Sequence, residues 1–305
     1  MKSAAISFLL LIIGIGIPIF LPTWLDFSQD FLSLKEIPSN SSQIAGVQKY
    51  NIPPLSSGAA APLVSAKALL VKDLATGTIL LQKDANLSLP IASTTKIMTA
   101  LVAEKYFKQN DILTVSKNSL MSGSSVGLNL GESLSFRSLL YGMLLNSGND
   151  AAYTIANNFP GGLSAFVGAM NQEVANLGLK NTHFDNPAGF DSKNHFSSAA
   201  NMAIISEEAL KRANLTRVFA TKETNILSLD KKYDHRLVNL NKLLSSVSGV
   251  LGIKTGTTDL AKENLVTLVE RNGHRVLFVL LGSNDRFAET TKLINWAYNN
   301  FTWVD

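Results

Sequence analysis

Strand-forming segments open and close the part of this chain that follows residue 65, and helix-patterned sequence fills the interval between them. Ala66 to Val71 and Thr78 to Leu81 read as two strands joined through Asp73-Leu74-Ala75-Thr76-Gly77. Strand signals return only after Thr221. Asn225 to Leu229 and Arg236 to Leu240 form one expected hairpin; Leu265 to Val269 and Val276 to Leu280 form another around Asn272-Gly273, a strong turn signal. Between them helical periods cover Ser138 to Leu145, Ala151 to Asn157, Leu163 to Leu177 and Ala199 to Ala213. A last amphipathic helix, Phe287 to Phe301, is expected to turn Leu293, Ile294, Ala297 and Tyr298 inward. This order predicts an α+β fold: a mainly antiparallel sheet built from N- and C-terminal strands, helices packed on it, and an inserted helical lobe. Clefts between such lobes commonly hold sites.

Ser93 lies at that junction, in Pro90-Ile91-Ala92-Ser93-Thr94-Thr95-Lys96. Ile97, Met98, Leu101 and Val102 follow on one helical face, which puts Ser93 at a helix N-terminus, where free N–H groups favour negative charge. Lys96 stands one turn on, on the same side. A serine oxygen on positive N–H groups beside an amine can start acyl transfer; an N-cap next to an exposed lysine would read the same.

The bulk numbers remove other classes. A net charge of +4 over 305 residues is mild, and the densest basic patch, Lys231-Lys232-Tyr233-Asp234-His235-Arg236, is short, so no nucleic-acid partner is indicated. The absence of cysteine excludes disulfides, thiol catalysis and Cys-ligated metal. His183, His195, His235 and His274 are scattered outside any metal-binding spacing, so no metal is expected.

Lys2 precedes an uncharged Leu/Ile-rich stretch to Leu25, long enough for the roughly 20 residues of a spanning helix and lacking a small-x-small cleavage site. The expectation is an uncleaved membrane anchor over 1–25, with a cleaved signal as the rival, a tether over 26–62 with Pro53-Pro54 and Ser56-Ser57-Gly58-Ala59, and an exported catalytic domain over 63–305.

Taken alone, Ser-x-x-Lys is weak; a second copy, Ser228-Leu229-Asp230-Lys231, lies in a polar hairpin turn and reads as chance. Asn146-Ser147-Gly148-Asn149-Asp150 at a helix break would otherwise be a cap. Lys254-Thr255-Gly256 after Val250 to Ile253 reads as the end of a short strand. Together, in order, Ser93-Thr94-Thr95-Lys96, Ser147-Gly148-Asn149 and Lys254-Thr255-Gly256 resemble the three motifs of penicillin-binding proteins and serine β-lactamases. More specifically the chain resembles the low-molecular-mass serine D-Ala-D-Ala carboxypeptidases, from about Ser65 to Trp303, including Ser124 to Leu128, Thr182 to Pro187, Lys254 to Asp259 and Arg286-Phe287.

That resemblance implies roles that acyl-transfer chemistry requires. Ser93 would be the nucleophile and Lys96 its base, with a pKa pulled below the free value of about 10.4 by burial and a nearby cation such as Lys254. Ser147 would relay a proton, and Asn149 would hold Lys96 and the substrate amide. Backbone N–H groups of Ser93 and Thr257 would form the oxyanion hole. Lys254, Thr255 and Arg286 would receive the substrate's terminal carboxylate beside Gly256. Covalent catalysis of this kind needs no cofactor. His183 and His195 read as hydrogen-bonded loop residues.

Two departures from the family, Ala261-Lys262-Glu263 and Asn201, bear on specificity. A C-terminal β-domain and membrane helix, common in the family, are not seen after the catalytic region, which again points to an N-terminal anchor. The expected activity is removal of the terminal D-alanine from peptidoglycan stem peptides, with β-lactams as covalent inhibitors. The rivals are a DD-endopeptidase, a β-lactamase and a non-catalytic sensor. Gly148 in place of Asp, and the lack of Glu-x-x-Leu-Asn between Ser147 and Lys254, argue against a class A β-lactamase.

Overall fold

Asn272 and Gly273 both adopt positive φ (51° and 82°), the conformation a two-residue hairpin turn requires. The middles of the strands on either side, Leu265 to Val269 and Val276 to Leu281, are apolar at all but one position, because both faces of the sheet they enter are covered. A computed structural model describes residues 52–304. In chain order the elements are β1 (Leu55–Ser56), β2 (Ala68–Asp73), β3 (Ile79–Lys83), a 3₁₀ turn (Ala92–Thr95), α1 (Lys96–Tyr106), β4 (Ile112–Thr114), β5 (Ser133–Ser135), α2 (Phe136–Leu145), α3 (Asn149–Asn157) and α4 (Gly162–Asn176). There follow α5 (Ala199–Leu210), α6 (Ala213–Ala220), β6 (Glu223–Leu227), β7 (Asp234–Val238), α7 (Leu243–Ser246), β8 (Val250–Thr258), β9 (Lys262–Arg271), β10 (His274–Ser283), α8 (Arg286–Asn300) and β11 (Phe301–Thr302).

The main sheet has five strands in the order β3-β2-β10-β9-β8, every pairing antiparallel. N-terminal β2 lies against C-terminal β10, so the α+β expectation holds. Strand alternation divides the apolar residues between two cores. Leu70, Val266, Leu268, Leu277 and Val279 pack with Ile97, Met98 and Leu101 of α1 and with the helical lobe. Leu69, Val71, Leu265, Val269, Val276 and Phe278 pack with Leu293, Ile294 and Ala297 of α8. Tyr298 joins the second core, donating its hydroxyl to Val269 O or His274 O, both at 2.9 Å.

Three boundaries differ from the sequence reading. The expected helix from Ala199 to Ala213 is two helices, with Arg212 in extended backbone between α5 and α6. Lys254-Thr255-Gly256 lies inside nine-residue β8 rather than at a strand end. Within the expected tether, β1 pairs with β11, Ser57 N donates to Asn300 O, and Trp296 Nε1 donates to Ala59 O, so the folded domain is engaged before residue 63. The expected anchor and most of the tether lie outside the described residues. Among the described residues, no helix is long and apolar enough to cross a membrane.

Candidate active site

The site begins with a bent turn. Ile91 O accepts from both Thr94 N (3.2 Å) and Thr94 Oγ1 (2.7 Å), and Ala92 O accepts from Thr95 Oγ1 (2.8 Å). Ala92 itself is held at φ 46°, a left-handed conformation that costs an alanine roughly 1–2 kcal/mol. The turn raises half-buried Ser93 into the cleft and starts α1, whose first residue, Lys96, is completely buried.

Lys96 Nζ lies 2.9 Å from Ser93 Oγ, 2.9 Å from Asn149 Oδ1 and 2.6 Å from Ala188 O. A neutral amine has two N–H donors and one lone pair. Two carbonyl oxygens and one hydroxyl surround the nitrogen; for a neutral amine the Ser93 O–H would donate into the lone pair, while the same hydroxyl also lies 3.4 Å from Ala188 O. Burial, reinforced by the Lys254 charge and opposed by Asp150, holds Lys96 well below the ordinary lysine value. Lys254 is buried too, donates to Thr255 O at 3.0 Å, and is brought down to about 7 by burial and by Arg286.

Asn149 reaches Lys96 from the α2–α3 junction, where buried Ser147 lies two residues before it. Ser147 stands at φ 59°, again left-handed, and Gly148 follows because a Cβ there would lie 2.7 Å from Val126 Cγ2 and 2.8 Å from Asp150 Oδ1. Asn149 is oriented by its neighbours: Nδ2 donates to Ser122 O (2.8 Å) and its backbone N to Ser124 O (2.8 Å), which leaves Oδ1 for Lys96. Asp150 organises the loop that supplies those acceptors, receiving N–H bonds from Val126, Gly127 and Leu128 and the Ser125 hydroxyl.

β8 is the free edge of the sheet and forms the opposite wall. Gly256 is required by proximity: a Cβ there would come within 3.0 Å of Ser93 N and Thr94 N and 2.9 Å of Ile91 O. Arg286, at the start of α8, donates Nη1 to Gly256 O at 3.0 Å, and burial lowers its pKa. Thr255 is buried in the strand, while Thr257 is exposed at its outer end. The structure thus brings Ser93, Lys96 and Asn149 into direct contact and packs Gly256 and, through it, Arg286 against the Ser93 turn, while Ser147 lies at the α2–α3 junction and Lys254, Thr255 and Thr257 lie along β8. The second Ser-x-x-Lys lies elsewhere: Ser228 bonds Asp230 within the β6–β7 turn, where Lys231 has φ 60°.

Sequence reading did not find the residues that hold the cleft in shape. Asn186 Oδ1 accepts from the backbone N–H of Ala188, Gly189 and Phe190, fixing the loop whose Ala188 carbonyl meets Lys96. That loop is Asn186-Pro187-Ala188-Gly189, and a backbone carbonyl carries no side-chain signature. Asn264, fully buried on β9, donates to Pro90 O (3.2 Å) and accepts from Gly282 N (2.7 Å), tying the sheet to the approach to Ser93. Of the two departures, Asn201 Nδ2 donates to Thr182 Oγ1 at 2.9 Å, and Glu263 Oε2 accepts the Arg286 N–H at 2.9 Å. Among the described residues, no group of three His, Asp or Glu side chains is placed to hold a metal ion.

Comparison with known proteins gives the same answer as the geometry. The D-alanyl-D-alanine carboxypeptidase family, peptidase S11, matches residues 56–285. D-alanyl-D-alanine carboxypeptidase DacF of Bacillus subtilis is 35% identical over 246 residues, covering 77% of this chain and 63% of that protein. The D-alanyl-D-alanine carboxypeptidase of Streptomyces sp. strain K15 is 34% identical over 257 residues, 78% of this chain and 88% of that one. The crystal structure of the Streptomyces K15 DD-transpeptidase superposes with a TM-score of 0.75 at 32% identity, covering 79% of this chain and 100% of that chain. The chain thus spans just under two thirds of the Bacillus relative. With its fold, its three motifs around one cleft and these matches, the chain belongs to the D-alanyl-D-alanine carboxypeptidase family of serine peptidases.

Proposed function

We propose that this protein is a serine-type D-Ala-D-Ala carboxypeptidase that trims peptidoglycan stem peptides through an acyl-enzyme on Ser93. The observation that carries the reading is the buried amine of Lys96, 2.9 Å from Ser93 Oγ and short of its ordinary basicity. Such an amine is neutral enough to take a proton and close enough to take this one.

Ser93 Oγ attacks the carbonyl between the two D-alanines as its proton passes to Lys96. The developing oxyanion is received by backbone N–H groups of Ser93 and Thr257. The C–N bond then breaks, and the departing amine takes a proton relayed through Ser147. Water hydrolyses the Ser93 ester, giving the shortened peptide and restoring the starting protonation. Lys254, Thr255 and Arg286 hold the terminal carboxylate, and Asn149 keeps Lys96 in line and meets the substrate amide. β-Lactams enter the same acylation and stay attached as inhibitors.

The test is D-alanine release from a peptide ending in D-Ala-D-Ala, together with labelling by a fluorescent penicillin, for the unaltered chain and Ser93→Ala. Release and labelling that both vanish in the variant support the reading. Labelling without release turns it towards a crosslink endopeptidase or a sensor, and neither signal from folded protein overturns it. Residues 1–25 are read as a single membrane anchor that leaves the catalytic domain outside the cytoplasm. If so, the full chain sediments with membranes and a chain lacking residues 1–25 stays soluble; equal partitioning of the two refutes the anchor.

A further inference from the structure

His195 is 2% exposed, lies in the loop below the Ser93 turn, and has no part in the acyl-transfer steps above. Its hydrogen bonds run in one direction. Nδ1 accepts from Asp185 N–H at 3.1 Å, so the ring proton sits on Nε2. Nε2 therefore donates to Thr95 Oγ1, 2.7 Å away, and the Thr95 hydroxyl, with one proton to give, passes it to Ala92 O at 2.8 Å. We propose that His195 is a positioning residue: through the Thr95 hydroxyl and the Ala92 carbonyl, its ring holds the turn that aims Ser93 at the substrate.

The turn needs holding because Ala92 at φ 46° is strained and, released, would rotate the next residue, which is Ser93. The other sides of that peptide are already pressed. A Cβ on Gly189 would lie 1.9 Å from Ala92 O and 2.8 Å from Ser93 N, and one on Gly256 would lie 3.0 Å from Ser93 N. Gly189 and Gly256 clamp by contact; His195 supplies the directional bond. The ring also remains uncharged. Burial brings it down to about 4, with Asp185 opposing and His183 and Lys96 adding to the depression. An imidazolium would turn Nδ1 into a donor facing the Asp185 N–H and break the chain at its first link.

This inference rests on the reading of Ser93 as the acylated residue. The test measures the limiting acylation rate and the apparent dissociation constant for a fluorescent penicillin on the full chain. His195→Ala is expected to lower the limiting rate by about 10²-fold, the scale of a small misplacement of a reacting group, with the dissociation constant within about threefold. His195→Gln, whose amide N–H reaches the Nε2 position, recovers most of the rate; His195→Asn, which reaches only the Nδ1 position, does not. Thr95→Val loses about as much as His195→Ala, and the double variant loses no more than either. A His195→Ala variant that acylates at the unaltered rate, equal behaviour of Gln and Asn, or additive losses would overturn the proposal. The Gln–Asn comparison decides the matter where the alanine variant does not fold. An unaltered chain never labelled on Ser93 overturns the functional reading and this inference with it; labelling that ignores the His195 variants overturns the positioning role alone.

Discussion

Lys96→Arg is expected to acylate Ser93 at least ~10³-fold more slowly than the unaltered chain, near the upper range for loss of a positioned general base. The substitution keeps a cation and several N–H donors, so it keeps what Lys96 would supply if it merely held Asn149 and Ala188. What it removes is the lone pair. A guanidinium stays protonated in proteins and accepts no hydrogen bond. Lys96, by contrast, sits with two carbonyls and one hydroxyl around its nitrogen, and burial together with the Lys254 charge drives it towards the neutral form. Lys96→Met gives the complementary result: it removes the buried amine and leaves Asn149 Oδ1 and Ala188 O without a partner, and acylation is lost to a similar degree. The check is the second-order rate of labelling by a fluorescent penicillin, with circular dichroism to confirm folding. A Lys96→Arg chain labelled within about tenfold of the unaltered rate would remove Lys96 from the role of base.

What was legible in the sequence follows from which interactions leave a periodic or side-chain mark. The sheet strands were found because Leu265 to Val269, broken only by Thr267, and Val276 to Leu280 are apolar and flank Asn272-Gly273, whose positive φ values the turn needs. The motif residues were found because side chains carry the chemistry. Lys254-Thr255-Gly256 was misplaced at a strand end because glycine usually punctuates; here it lets β8 pass against the Ser93 amide, a tertiary requirement without local signal. The break between α5 and α6 was missed because neither proline nor glycine marks Lys211 or Arg212. His195 was read as a hydrogen-bonded loop residue, Asn186 only as part of a family-like segment, and Asn264 was not singled out, since their partners are backbone atoms or a hydroxyl remote in sequence. Sequence identified the groups proposed to react; the groups that orient them became visible only in three dimensions.

Lys254→Met is expected to stabilise the protein at neutral pH while costing about 10²-fold in D-alanine release. The amine is buried and titrates at about 7, against an ordinary value of 10.5. At about 1.4 kcal/mol per pH unit, that gap means burial of the charge opposes folding by on the order of 5 kcal/mol. The Nζ bond to Thr255 O is lost in the variant, and an unmatched carbonyl gives back roughly 1–3 kcal/mol, so a net gain of about 2–4 kcal/mol remains. Its pH dependence is specific. Below about 7 the amine is charged in both the folded and the unfolded chain, and the full cost is present. Between 7 and 10.5 the unfolded chain binds the extra proton, the unaltered protein gains stability as pH rises, and the advantage of Lys254→Met falls away and then reverses by roughly the 1–3 kcal/mol of the lost Thr255 O bond. Denaturant unfolding at pH 6, 8 and 10 measures this directly; a variant less stable at pH 6, or a gap that does not close, would show that the buried charge is compensated by something else. The lost turnover follows from the same charge. A carboxylate-bearing ligand needs the cation, so in the unaltered chain its capture declines above about pH 7, and in Lys254→Met that limb is absent. A group that costs folding free energy in the empty cleft and recovers it against a carboxylate fits a residue retained for binding rather than for stability.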